Sequence, residues 1–193
     1  MDMRKFRDRD FIQTTEGFFF CVVGPVHPPD RVISYIKYVP SESGVWGNKD
    51  TKFSRILQKY TIPNLLETFN FLKQNYPQYL FHSTVDNITI TAVPHSNIKI
   101  HFKPEQKLAE IRQAKKQDKL QEMLTRFTQF LHEVSRVPLS CFGVTGSLLL
   151  DIHQPSFSDL DVIVYGTEES WKLKNALTEK RGTDLPMKRL EGK

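Results

Sequence analysis

Apolar and polar positions along this chain change rhythm near its middle. The first forty residues favour strands. Residues 16–24, EGFFFCVVG, form a continuous apolar run rich in Phe and Val. Residues 31–40 alternate at period two. Val32, Ser34, Ile36 and Tyr38 fall on one side, and Ile33, Tyr35, Lys37 and Val39 on the other. His27-Pro28-Pro29-Asp30 between them reads as a turn, because proline fixes its own φ and has no N–H to donate. Residues 41–52 are rich in Ser, Gly and Asn and read as a loop with Trp46 in its middle.

Leu65, Leu66, Phe69 and Leu72 recur at helical spacing and predict a helix over 63–76, capped by Thr61 or Asn64 and ended by Pro77. Residues 88–92 and 98–102 alternate on either side of Pro94-His95-Ser96-Asn97, which predicts a hairpin. Residues 104–134 then read as one long helix. Its second half carries the stripe Leu120, Leu124, Phe127, Leu131 and Val134, and its first half is mostly Lys, Gln, Glu and Arg. Beyond Pro138 the pattern predicts a strand at 139–144, a helix at 147–152, a loop at 153–158, a strand at 159–165 and a helix at 168–180. The last dozen residues show no period.

The expected fold is α+β, with a β-rich domain carrying one helix over 1–103 and a helix-strand-helix-strand-helix domain over 104–193. Composition narrows this only a little. The chain has 193 residues, 39% of them apolar, enough for one sizeable core or two small ones. No apolar run approaches the eighteen or more residues of a membrane span, so no membrane association is expected. The start, MDMRKFRDRD, has no apolar core and predicts no signal peptide. Cys21 and Cys141, the only two cysteines, both sit in apolar runs. They read as small buried residues of a reducing, cytoplasmic setting.

Charge adds a candidate partner. The net charge is +5, and the excess is concentrated in two segments. Residues 99–136 hold nine Lys/Arg against five Asp/Glu, and residues 172–193 hold seven against three. Such flanks suit a polyanion such as a nucleotide or RNA. The plainer reading of such segments is a solvated helix face of mixed charge.

Between these flanks lies the densest chemistry. Gly146 lacks a Cβ, so the backbone there can turn sharply and approach phosphate oxygens. Ser147 is placed to cap the following helix, and its hydroxyl could reach a phosphate. No Lys follows, so this is not a Walker P-loop. Asp159 and Asp161 are two apart on an expected strand, which puts both carboxylates on one side and Leu160 and Val162 on the other. Paired carboxylates repel unless a cation joins them, and Mg²⁺ takes such hard oxygen ligands together with substrate phosphates. Each part alone also fits a plain cap or a solvated turn.

The joint pattern Thr145-Gly146-Ser147, eleven intervening residues, then Asp159-Leu160-Asp161 resembles the signature of the nucleotidyltransferase superfamily whose archetype is the palm of DNA polymerase beta. The resemblance covers about 139–166. The front segment, EGFFFCVVGPVHPPDRVISYIKYVP, also resembles the start of uncharacterised predicted nucleotidyltransferases found chiefly in archaea. The resemblance implies a minimal polymerase-beta-like core after the β-rich region. In it Asp159 and Asp161 would be catalytic Mg²⁺ ligands, and Gly146 and Ser147 would hold the nucleoside triphosphate. A nucleoside monophosphate would pass to a hydroxyl acceptor. Such enzymes carry a third carboxylate on a later strand. This chain offers Glu168, Glu169, Glu179, Asp184 and Glu191, with Asp184 best placed and none in a convincing strand. The alternative expectation is a non-catalytic module that keeps the fold to bind nucleotide or RNA.

Overall fold

The computed structural model describes residues 4–47, 50–56, 61–85 and 87–180. The contacts divide the chain into two compact units, Met1–Pro104 with Thr145–Asp159, and Glu105–Val144 with Leu160–Lys193.

The first unit is built on a curled antiparallel sheet of β1 (Phe11–Thr14), β2 (Phe19–Val22), β3 (Arg31–Pro40), β4 (Trp46–Gly47), β5 (Lys52–Arg55), β6 (Leu80–Ser83), β7 (Ile88–Pro94) and β8 (Ile98–Phe102), with helix α1 (Ile62–Asn75). One path runs β4-β5-β3-β2-β1-β8, while β7 joins β6 to β3. The long strand β3 shares one edge between two partners: Arg31–Ile33 pairs with β7, and Tyr38–Pro40 with β5.

Strand β2 reads as a continuous apolar run because both its faces are buried. Phe20 and Val22 join Ile12, Val32, Ile36, Leu72 of α1 and Tyr79 in one cluster. Phe19 and Cys21 join Phe11, Tyr38 and Phe53 in another, which Leu149, Leu150 and Ile152 complete. Each such buried side chain contributes about 1.5–3 kcal/mol.

A bulge alters the alternation expected for β3. Phe20 pairs with Ile36 but Phe19 pairs with Tyr38, so Lys37 is an extra residue on its strand. Beyond it the faces exchange. Tyr38 joins the cluster of Phe19 and Cys21, and Val39 packs with Phe20 and Ile36.

The expected hairpin does not form. Among the described residues no ladder joins β7 to β8; β7 pairs with β6 and β3, and β8 pairs with β1. The connection His95–Asn97 is a 3-10 turn tied by the His95 amide to the Asp30 carbonyl (2.9 Å), with none of the tight-turn chemistry that would fold the two strands together. Burial decides instead: Ala92 and Val93 are fully buried where β7 meets β3. Strand β4 lies within the expected loop over 41–52, and β5 begins at its last residue. The stripe on α1 is buried only in part, with Leu72 inside and Leu65 and Leu66 exposed.

The second unit contains α2 (Pro104–Gln113), α3 (Lys119–Ser135), β9 (Phe142–Val144), β10 (Val162–Val164) and α5 (Thr167–Glu179), with α4 (Gly146–Leu149) falling in the intervening segment of the first. The single long helix expected over 104–134 is two helices. Asp118 explains the break. Its Oδ1 accepts from the Leu120 and Gln121 amides at 2.9 Å, and Gln121 Oε1 accepts from the Asp118 amide, a capping box that starts a new helix. Arg112 of α2 ties the pair by donating to the Thr125 carbonyl, Thr128 Oγ1 and Gln129 Oε1 of α3.

The buried face of α3 is Leu120, Leu124, Thr128, Leu131 and Ser135. Thr128 and Ser135 hold places expected for Phe127 and Val134. Their hydroxyls donate to the carbonyls of Leu124 and Leu131, one turn back, which satisfies them inside the packing. Helix α5 packs against α3. No described helix is long and apolar enough to cross a membrane.

Candidate functional site

The strand expected over 139–144 is shorter: Leu139–Cys141 is a 3-10 turn, and only Phe142–Val144 is extended in a ladder. Thr145 then takes the N-cap position, which was expected of Ser147, with φ −124° and no side-chain cap bond. Its hydroxyl instead donates to the Arg9 carbonyl at 2.9 Å. Gly146 has φ +69°, a left-handed conformation that a side chain disfavours. Helix α4 lasts four residues, all buried, rather than the six expected.

Ser147 is nearly buried, and its Oγ donates to Ser158 Oγ at 3.3 Å. Ser158 Oγ also accepts the Gln154 amide at 2.9 Å. The Ile152 amide donates back to the Ser147 carbonyl. Outside the loop, Gln154 Nε2 donates to the Gly47 carbonyl, the Gly47 amide donates to Ile152 at 2.8 Å, and Phe157 meets Trp46 edge-on at 5.9 Å. The loop between Gly-Ser and the aspartates is therefore fastened to the β4 turn by hydrogen bonds and a ring contact.

Asp159, Leu160 and Asp161 precede β10 and belong to no ladder, so the strand starts three residues later than expected. Exposure still alternates, with both aspartates exposed and Leu160 half-buried. Asp159 closes the segment of the first unit, and Leu160 and Asp161 open the returning segment of the second. Within the second unit β9 and β10 pair antiparallel, with Val144 opposite Val162 and Phe142 opposite Val164.

Asp159 and Asp161 are each exposed, and a carboxylate is a hard oxygen donor of the kind that magnesium takes together with water and substrate phosphates. Among the described residues no group of three His, Cys, Asp or Glu could hold a metal. Of the third-carboxylate candidates, Glu168, Glu169 and Glu179 lie on α5, and Glu168 pairs with Lys172 at 2.7 Å. Asp184 and Glu191 lie outside the described residues, as does the end of the basic flank over 181–193.

Sequence reasoning missed a buried ionic cluster in the first unit. Asp10 is fully buried and accepts a bidentate pair from Arg4 (2.7 and 2.8 Å), the Arg7 amide (2.9 Å) and His101 Nε2 (2.7 Å). Burial by itself would raise its pKa. The bonds from Arg4, His101 and the Arg7 amide outweigh that and hold the carboxyl below its usual range. Phe6 stacks on His101 with ring centroids 4.1 Å apart. The only hint in sequence was an Asp directly before an apolar strand. Cys21 and Cys141 are both free thiols, and burial pushes the Cys21 thiol up.

Over 178 residues the chain is 30% identical to the uncharacterized protein MJ1086 of Methanocaldococcus jannaschii. The match covers 91% of this chain and 52% of that protein, so the chain spans about half the length of the relative it matches. No family model matches the chain, and no solved structure matches it.

Proposed function

We propose that this chain is a Mg²⁺-dependent nucleotidyltransferase of the polymerase-beta-like kind. The observation that carries the reading is the β9–β10 register, Val144 opposite Val162. In an antiparallel ladder the residues after one strand and before the other leave by the same end. Thr145-Gly146-Ser147 follow β9 and Asp159-Leu160-Asp161 precede β10.

In this reading Gly146 lets the backbone approach the triphosphate, and Ser147 offers its amide, its hydroxyl being engaged by Ser158. Asp159 and Asp161 hold the divalent ions. Bound there, Mg²⁺ supplies charge that activates the attacking hydroxyl and stabilises leaving pyrophosphate. The acceptor oxygen forms a bond to the α-phosphorus as the bond to pyrophosphate breaks, and the hydroxyl proton passes to solvent. The test is pyrophosphate release from each nucleoside triphosphate with Mg²⁺. Asp159→Ala and Asp161→Ala should each abolish it, and unchanged turnover in both would remove these roles.

A second reading is a binding module that holds nucleotide or RNA without transfer. It is favoured by the lack of a third carboxylate beside the pair among the described residues. It predicts binding that weakens steeply with salt and no pyrophosphate release.

A further inference from the structure

We propose that Arg9, backed by the charge of Lys37, forms a polyphosphate-binding subsite beside Thr145 in the first unit. The identity of the anion rests on the nucleotidyltransferase reading; the subsite itself rests on the following geometry.

Arg9 is held in an unusual backbone conformation. Its φ is +67°, a left-handed value that costs a bulky residue energy. Its neighbours enforce it. The Arg9 amide donates to the Val22 carbonyl at 3.0 Å, and the Arg9 carbonyl accepts from the Thr145 hydroxyl at 2.9 Å. Asp10 on one side is locked in the buried cluster, and on the other Asp8 Oδ1 accepts the Gly24 amide at 2.8 Å. The strained residue is therefore tied directly to the residue before Gly146.

The side chain is not consumed by this scaffold. It is half-exposed; it pairs with Asp8 at 3.5 Å, bonds the Tyr35 hydroxyl at 3.5 Å and interacts with the Cys21 thiol. An exposed pair of that length contributes at most about 1 kcal/mol.

Lys37 supplies the second observation. It is only 8% exposed, yet among the described residues no carboxylate pairs with its ammonium. Its Nζ lies 5.6 Å from the Phe11 ring centroid and 5.7 Å from that of Tyr38. The stem is buried while the ammonium itself keeps contact with solvent. The β3 bulge is what brings Lys37 and Tyr38 together on the face that holds Cys21 and Tyr35. Both Lys37 and Arg9 act on the Cys21 thiol, opposing the effect of its burial. The two cations thus share one side of the sheet, where a multivalent anion would relieve their excess charge.

The experiment is calorimetric titration of the full chain with inorganic tripolyphosphate, without metal. Wild type should bind. Arg9→Gln should weaken binding at least roughly tenfold, the worth of a charge-assisted bond, and Arg9→Lys should restore part of it. Lys37→Met should weaken it less. Should Lys37→Met fail to fold, the exposed Arg9→Gln decides alone. No binding by wild type, or equal binding by Arg9→Gln, overturns the proposal. The outcome is separable from the nucleotidyltransferase reading, because the pyrophosphate assay depends on Asp159 and Asp161, and this titration requires neither. Loss of binding in Arg9→Gln beside an inactive wild type would uphold the subsite and sink the enzyme.

Discussion

Val144 stands directly opposite Val162 in a two-stranded antiparallel ladder, flanked by Gly143 opposite Ile163 and Phe142 opposite Val164. That register determines which loops leave the ladder together. A slip of one residue would invert every side chain of β10 and move both aspartates with it.

Asp159 and Asp161 are exposed and form no ion pair among the described residues. Their replacement by Asn should therefore change unfolding free energy by no more than about 0.5 kcal/mol. Urea melts of both variants check this. A large loss in either would mean that the carboxylates support the fold, and an activity loss could not then be read as chemistry.

Asp10 should control the acid limb of stability. Its folded pKa is depressed, so its contribution is present above the unfolded value of about 3.9 and is lost as pH falls below it, through the lower folded value. Asp10→Ala should cost about 3–5 kcal/mol at neutral pH, because it strands Arg4. Denaturant melts across acidic pH should show a flatter acid limb in Asp10→Asn; an unchanged limb would assign it to another group.

Tyr79 gives an alkaline counterpart. Its hydroxyl donates a hydrogen bond to Glu16 Oε2. Burial and that carboxylate push its pKa up to about 12, from 10.0. A raised pKa means that its contribution is intact below pH 10 and declines as pH rises towards 12. Tyrosinate absorbance should show a late-titrating component that Tyr79→Phe removes, with a stability loss of about 1.5–3 kcal/mol. Titration of every tyrosine near its ordinary value would contradict the contact.

Gly47→Ala tests the fastening of the 153–158 loop. Gly47 has φ +100°, and a Cβ there would meet the Thr51 carbonyl oxygen at 2.2 Å, a backbone atom with little room to yield. A loss of about 1–3 kcal/mol is expected. Because Trp46 contacts Phe157, its fluorescence should change as well, measured in a Trp171→Phe background. Unaltered emission and stability would show that the turn is not held as described.

Asp118→Ala should cost about 1 kcal/mol by removing the cap that starts α3, while Asp118→Asn should retain most of it. Helical circular dichroism during thermal melts reads the difference. Equal stability of the Ala variant would show that α3 starts without its box.

Much of the secondary structure was legible because it follows from local period. The ten-residue strand Arg31–Pro40 and the helix Ile62–Asn75 came from alternation and helical spacing. The split at Asp118 was legible in principle, since Asp three residues before Gln is a capping-box pattern, but the surrounding helix formers masked it. The exchange of faces at Lys37 was not legible. A bulge depends on what the neighbouring strand presents, and Phe19 and Phe20 opposite carry no local mark of it.

The Gly-Ser and Asp-Leu-Asp pattern was wholly legible, along with the oxygen chemistry that it suggests. Tertiary structure alone decided that β8 joins β1 rather than β7, and that Thr145–Asp159 packs with the first unit. It alone surrounded Asp10 with Arg4 and His101 and tied Arg9 to Thr145. The physical reason is common to all four. Local sequence determines which residues share a face, but the partner of that face is chosen by burial and hydrogen bonding between segments far apart in the chain.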